Sequence, residues 1–159
     1  MAGYITLTNP SWIEFLQKKQ FSEAVFWRKK RNFKVLSKGE PIYFLMRGSF
    51  STNSERLICG YGTFDNFEVL NPDEAWNKYN QKLGSETKAD FQTMCKTIYK
   101  NEDIEVGCIC MTNIAFLSCP VSIGECRIDF SPFTVSGKGI TDEDCEKINL
   151  AIRRRNENG

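Results

Sequence analysis

Arg56-Leu57-Ile58-Cys59-Gly60-Tyr61-Gly62-Thr63-Phe64-Asp65-Asn66-Phe67-Glu68-Val69 decides the fold class. Its apolar, aromatic and β-branched residues read as one long strand. The Gly-x-Gly at its centre is no dinucleotide fingerprint, because the third glycine is missing and no helix opens after it. Alternate residues of a strand share a face, so Gly60 and Gly62 leave bare backbone side by side, with Phe64 at the end of the same row. Two readings follow. The row is a shallow slot for a planar ring, or another backbone packs there and one glycine marks a bulge.

Working outward, Tyr4–Thr8 alternates as a strand, and Asn9-Pro10 is a helix-start signature. Trp12, Ile13, Phe15 and Leu16 continue at helical spacing to about Lys19. Lys38-Gly39-Glu40-Pro41 turns into a strand at Ile42–Met46, and 48–55 reads as a polar loop. Asn71-Pro72 repeats the cap signature ahead of a short helix with Trp76 and Tyr79, and a second helix spans about Ser85–Tyr99. Two strands, Val106–Ile114 and Ala115–Val121, are expected around Thr112-Asn113. A loop or short strand ends in Gly137-Lys138-Gly139, and a final helix starts at Thr141. Strands outnumber crossovers, so the class is α+β: a strongly curved, mostly antiparallel sheet or small barrel flanked by helices.

The chain has 159 residues, which suits a single domain that buries about 70% of its extended-chain surface. It contains no histidine, which excludes Ser-His-Asp triads, Cys-His pairs, HExxH zinc sites and HNH nuclease centres. No apolar run reaches the ~20 residues that span a bilayer and no secretory segment opens the chain, so a soluble, cytoplasmic protein is expected. Seven cysteines at irregular spacing read as reduced thiols; Cys108 and Cys110 sit in an alternating apolar stretch, without the CxxC spacing of a zinc site. No metal and no cofactor is expected.

Net charge is +1, yet between Lys18 and Arg47 nine basic residues face only Glu23 and Glu40. A patch of one sign on a neutral protein marks a polyanion site, although charge runs are usually solvated faces. Here Phe26, Trp27 and Phe33 are interleaved with the cations, which adds stacking surface to phosphate contacts. On a strand Phe26 and Trp27 would face opposite ways; Trp12 and Trp76 read as core. Asp129 has the chemistry to accept from an exocyclic amine, and Lys138 between two glycines suits a phosphate or a plain turn.

Taken in order, the Tyr4–Thr8 strand, Trp12-Ile13-Glu14-Phe15-Leu16, Phe26-Trp27, Gly39-Glu40-Pro41-Ile42-Tyr43-Phe44, Ile58–Phe64, Ala75-Trp76, Val106–Ile109 and 130–138 resemble a known family. It is the SRA-like/EVE-like (PUA superfold) recognition domain of McrA-type, HNH-containing modification-dependent restriction endonucleases. The resemblance covers about residues 4–140. It implies a module that reads a modified base in double-stranded DNA, 5-methyl- or 5-hydroxymethylcytosine, with the base flipped into a pocket. By the same analogy Gly60, Tyr61, Gly62 and Phe64 form the pocket floor and Trp27 stacks. Thr8, Asn9 and Asp129 read base edges, and Arg28, Lys29, Lys30, Arg31 and Lys138 hold phosphates. The family's third glycine is replaced around Tyr61, and the nuclease is absent. The expected organisation is a recognition domain over 1–140 and a C-terminal helix over 141–159 leading to an HNH partner, in the parent protein or in trans. Three readings compete: a YTH-like reader of modified RNA, a non-catalytic protein-interaction module, and an enzyme using Cys or carboxylate chemistry.

Overall fold

The computed structural model describes residues 2–29, 33, 36–46, 55–99, 104–129 and 137–157. Strand β1 (Gly3–Thr8) leads into helix α1 (Pro10–Lys19), and β2 (Ala24–Arg28), β3 (Pro41–Met46) and β4 (Leu57–Leu70) follow. Helix α2 (Pro72–Tyr79) and a 3-10 turn (Asn80–Leu83) precede α3 (Lys88–Tyr99). The chain continues through β5 (Val106–Ser122), the one-turn α4 (Ile123–Cys126), β6 (Gly137–Ile140) and α5 (Asp142–Glu157).

Both Asn-Pro signals start helices. Asn71 closes a reciprocal cap with Glu74: its Oδ1 accepts from the Glu74 N–H at 2.8 Å, and Glu74 Oε1 accepts from the Asn71 N–H at 3.2 Å. Asn9 occupies the same position on α1, but its side chain makes no cap bond; only its carbonyl is engaged, by Trp12 and Ile13 N–H.

The six strands form one sheet in the order β2-β5-β4-β3-β1-β6. β1 runs parallel to β3, with Ile5 opposite Tyr43, and the other pairings are antiparallel. The fold class is therefore the expected α+β curved sheet with flanking helices. Both faces are covered. Ile5, Leu7, Tyr43 and Leu45 point toward α5, whereas Ile42 and Phe44 point toward Trp12, Ile13 and Leu16 of α1. A third apolar cluster joins Val25, Cys108 and Cys110 to Ala75, Leu83, Phe91 and Cys95 of the α2–α3 segment. The boundary expected at residue 140 falls between β6 and a helix whose Cys145, Ile148 and Ala151 lie in the same cluster as β1 and β3.

Three elements differ from the sequence reading. β2 was hidden in front of a run of cations. The two strands expected around Thr112-Asn113 are one: Asn113 does take a positive φ of 51°, but Met111 and Ala115 on either side both pair with β4. The β4–β5 ladder shifts register between Ile58 and Gly60, Tyr61 and Thr63, and Phe64 and Asn66, so the local signal produced a bend and not a reversal. Gly137-Lys138-Gly139, expected as the end of a loop or short strand, is strand, but β6 begins at Gly137 and runs to Ile140, with Lys138 opposite Ile5.

Candidate functional site

Curvature brings the β2 edge of the sheet round to β1, four strands away. The two are not ladder partners; side chains join them. Arg28 Nη1 donates to the Tyr4 hydroxyl at 3.2 Å, and its guanidinium lies 4.9 Å over the Phe33 ring. Trp12 of α1 bridges the same gap, donating Nε1–H to the Val25 carbonyl at 3.3 Å and meeting Phe26 edge-on.

A cavity of about 190 Å³ opens at this seam. Leu7 of β1 and Asn9, Ser11 and Trp12 at the start of α1 form one side. Phe26, Trp27, Arg28 and Lys29 form the next, and Leu83, Gly84, Ser85, Met94 and Ile98 close it. Phe26 and Trp27 face opposite sides of the sheet: Phe26 packs on Trp12, while Trp27 sits edge-on to Phe91 at 5.1 Å and donates Nε1–H to the Leu83 carbonyl at 3.0 Å. Because β2 is an edge strand, both still reach the cavity. Gly84 has φ +94°, and a Cβ there would collide with the Trp12 indole, so backbone passes directly against the ring.

The polar groups are sparse. Asn9 is exposed at the mouth with its amide uncommitted to the helix. Arg28 Nε is buried without an acceptor, and Lys29 is exposed at the rim. Ser85 is 6% exposed. The apolar wall is partly open, with Met94 and Ile98 both exposed on α3.

The structure thus brings together Asn9, Trp27, Arg28 and Lys29, and it separates the rest. Thr8 is fully buried, and its hydroxyl donates to the Thr6 carbonyl within its own strand at 3.1 Å; it does not line the cavity. The Gly60/Gly62 slot is closed. A Cβ on Gly60 would meet the Ala115 carbonyl oxygen at 2.6 Å, and one on Gly62 the Ile114 Cδ1 at 2.5 Å. The bent β5 fills the row, so the glycines serve strand packing. Phe64 is core, tilted against Phe33 at 5.7 Å, and Tyr61 lies in the ladder opposite Tyr43 and Ala115, outside the cavity. Asp129 and Lys138 meet each other, Lys138 Nζ donating to the Asp129 carbonyl at 2.9 Å, and neither lines the cavity. Lys30, Arg31 and the 130–136 loop lie outside the described residues.

Sequence reasoning missed Leu7, Ser11, Leu83, Gly84, Ser85, Met94 and Ile98 as cavity residues and read Trp12 as core alone. The one available signal was Gly84-Ser85 between two helices, which reads only as a turn.

A wider, shallow depression of about 1400 Å³ lies between α4 and α5. Its rim mixes Arg127, Lys147, Arg154 and Arg155 with Glu55 and Glu125, and among the described residues no aromatic side chain lines it. Size alone does not make a site; among the described residues aromatic side chains line the β1–β2 cavity and not this depression.

Among the described residues no thiol lines the seam cavity. All seven are free, and six are buried. Burial pushes Cys95, Cys108 and Cys126 up to about 12 and Cys110 up to about 11. Among the described residues no three metal-ligating side chains gather, and no helix is long and apolar enough to cross a membrane.

No family model matches the chain, and no curated protein matches it in sequence. Solved structures do. ASCH from Zymomonas mobilis superposes with a TM-score of 0.64 at 12% identity, over 93% of this chain and 94% of that one. The fold is the PUA-like fold of ASCH domains. A point mutant of the same protein gives 0.65 at 12% identity, over 93% and 96%. A protein from Pseudomonas putida gives 0.53 at 10% identity, over 94% and 99%. At these identities the likeness establishes the fold alone. It also corrects the expected kinship: the Zymomonas mobilis structures are ASCH proteins and not the McrA-type SRA/EVE domain, and no link to an HNH nuclease accompanies them. The glycine run on which that resemblance leaned is packing.

Proposed function

We propose that the chain is a nucleic-acid-binding module that takes one unstacked base into the cavity at the β1–β2 seam, with Arg28 and Lys29 holding adjacent phosphates. One observation carries this reading. Aromatic walls, an Asn9 amide free of its cap and an Arg28 guanidinium whose buried Nε–H has no acceptor meet in a single-ring-sized space. Rings offer stacking to any base, the amide pairs with a base edge, and cations hold the backbone. The basic Lys18–Arg47 stretch supplies the attractive field. A binding module fits better than an enzyme, since histidine is absent and the shifted thiols are held protonated.

Met94 and Ile98 favour a base with an added methyl group. Burying one methyl against them is worth about 0.8 kcal/mol, roughly fourfold in affinity. Single strands should bind more tightly than duplexes, because extrusion from a duplex costs a few kcal/mol.

The test is fluorescence anisotropy with labelled single-stranded DNA and RNA 9-mers whose central residue is cytosine, 5-methylcytosine or abasic, at two salt concentrations. The expected result is at least about fivefold weaker binding of the abasic strand and a gain from the methyl. Lys29→Ala should weaken all strands alike and lower the salt slope by about one. Affinity indifferent to the missing base, or no binding, overturns the proposal.

A further inference from the structure

Ser85 is the least exposed polar side chain in the cavity wall, and the acceptor of its hydroxyl is the Met94 thioether at 3.8 Å. Sulfur of that kind is a weak acceptor, and the distance is long. A hydroxyl buried to this degree ordinarily finds an oxygen partner. Its neighbours do: the Trp27 Nε1–H has the Leu83 carbonyl and the Trp12 Nε1–H the Val25 carbonyl. Met94, in turn, is 37% exposed and unbranched, so its side chain can leave the hydroxyl without breaking a packed core.

We infer that Ser85 is the specificity-determining residue of the cavity, and that it reads the polar group at position 4 of a pyrimidine ring. This rests on the base-binding proposal above. In the orientation inferred here the sugar stays beside exposed Asn9, and the ring position opposite the glycosidic nitrogen faces Ser85, the least exposed polar residue of the wall. In a pyrimidine that position carries a carbonyl oxygen or an amine. The Ser85 hydroxyl donates to the first or accepts from the second, exchanging the thioether for a full hydrogen-bond partner. The Asn9 amide, with a donor and an acceptor, takes the polar edge nearer the mouth.

The probe is a pair of single-stranded 9-mers with central uracil or central 2-pyrimidinone, which lacks the 4-carbonyl and with it the N3–H, next to an abasic strand. The wild-type chain should bind uracil about fivefold to tenfold more tightly than 2-pyrimidinone, the worth of one net hydrogen bond. Ser85→Ala should erase that difference, keep both strands tighter than abasic, and leave Tm unchanged or raised, because the hydroxyl it removes has only a thioether partner. A wild-type preference that survives Ser85→Ala overturns this inference while base binding stands. A Tm loss in Ser85→Ala without loss of the preference assigns the residue a structural role and overturns it too. Equal binding of uracil and abasic strands by the wild-type chain overturns both readings.

Discussion

The Arg28 guanidinium donates to the Tyr4 phenol at 3.2 Å, and this single side-chain bond joins the β2 edge of the sheet to a strand four positions away in the hydrogen-bonded order. Tyr4 is 4% exposed and Arg28 also stacks on Phe33, so the bond sits in a sheltered, aromatic setting. Tyr4→Phe and Arg28→Met should each destabilise by about 1 kcal/mol or more, with a coupling of about 0.5–1.5 kcal/mol in a double-mutant cycle by urea denaturation. Strict additivity of the two changes would show that the bond does not hold the seam.

Gly60 and Gly62 should respond differently to the same methyl group. At Gly60 the added Cβ meets a main-chain oxygen, Ala115 O at 2.6 Å, which cannot move without disturbing the ladder. At Gly62 it meets Ile114 Cδ1, the far end of a flexible side chain. Gly60→Ala should cost about 2–3 kcal/mol and Gly62→Ala under about 1 kcal/mol. Neither should alter base discrimination at denaturant-free equilibrium. A loss of discrimination in Gly62→Ala with full stability would return the glycine row to the binding surface.

Alkaline conditions should loosen the fold through its thiols. Burial raises Cys95, Cys108 and Cys126 to about 12 and Cys110 to about 11, while an unfolded thiol ionises near 8.5. Above that lower value the unfolded chain releases protons that the folded chain keeps, so stability falls as pH rises from about 8.5 toward 12. Tyr43, raised by burial, adds to the same trend. Urea midpoints at pH 8, 9.5 and 10.5 should decline in order; a level series contradicts the buried-thiol assignment. At pH 8 a thiol reagent should label Cys119, the half-buried cysteine, ahead of the other six.

Much of the architecture could be read from local signals. The two Asn-Pro starts, the turn at Lys38–Pro41 and the long Arg56–Val69 strand all rest on neighbours a few residues apart, and all are present. What escaped was decided at long range. Asn113 does bend the chain, but whether it bends or reverses depends on β4 accepting both halves of β5. β2 is five residues long and shows its strand character only against Gly107–Met111.

The site divides in the same way. Asn9, Trp27, Arg28 and Lys29 were visible because a cap residue, an aromatic and two cations carry their chemistry wherever they are placed. The glycine row was misplaced because period-two alternation tells which residues share a face and nothing of what covers it. Ser85 and Met94 escaped because neither residue type announces anything until a hydroxyl and a thioether are found facing each other inside a cavity.

The join between β1 and β2 is made of side chains, whereas every neighbouring pair in the sheet is tied by backbone. A wall held by rotamers yields where a wall held by main-chain ladders cannot, so the girth of the seam cavity is an adjustable dimension of this fold. Exchanging side chains such as Arg28 or Met94 alters the size and polarity of that cavity without touching a single strand pairing. The same framework can therefore diverge in the shape of its cavity while its topology stays fixed.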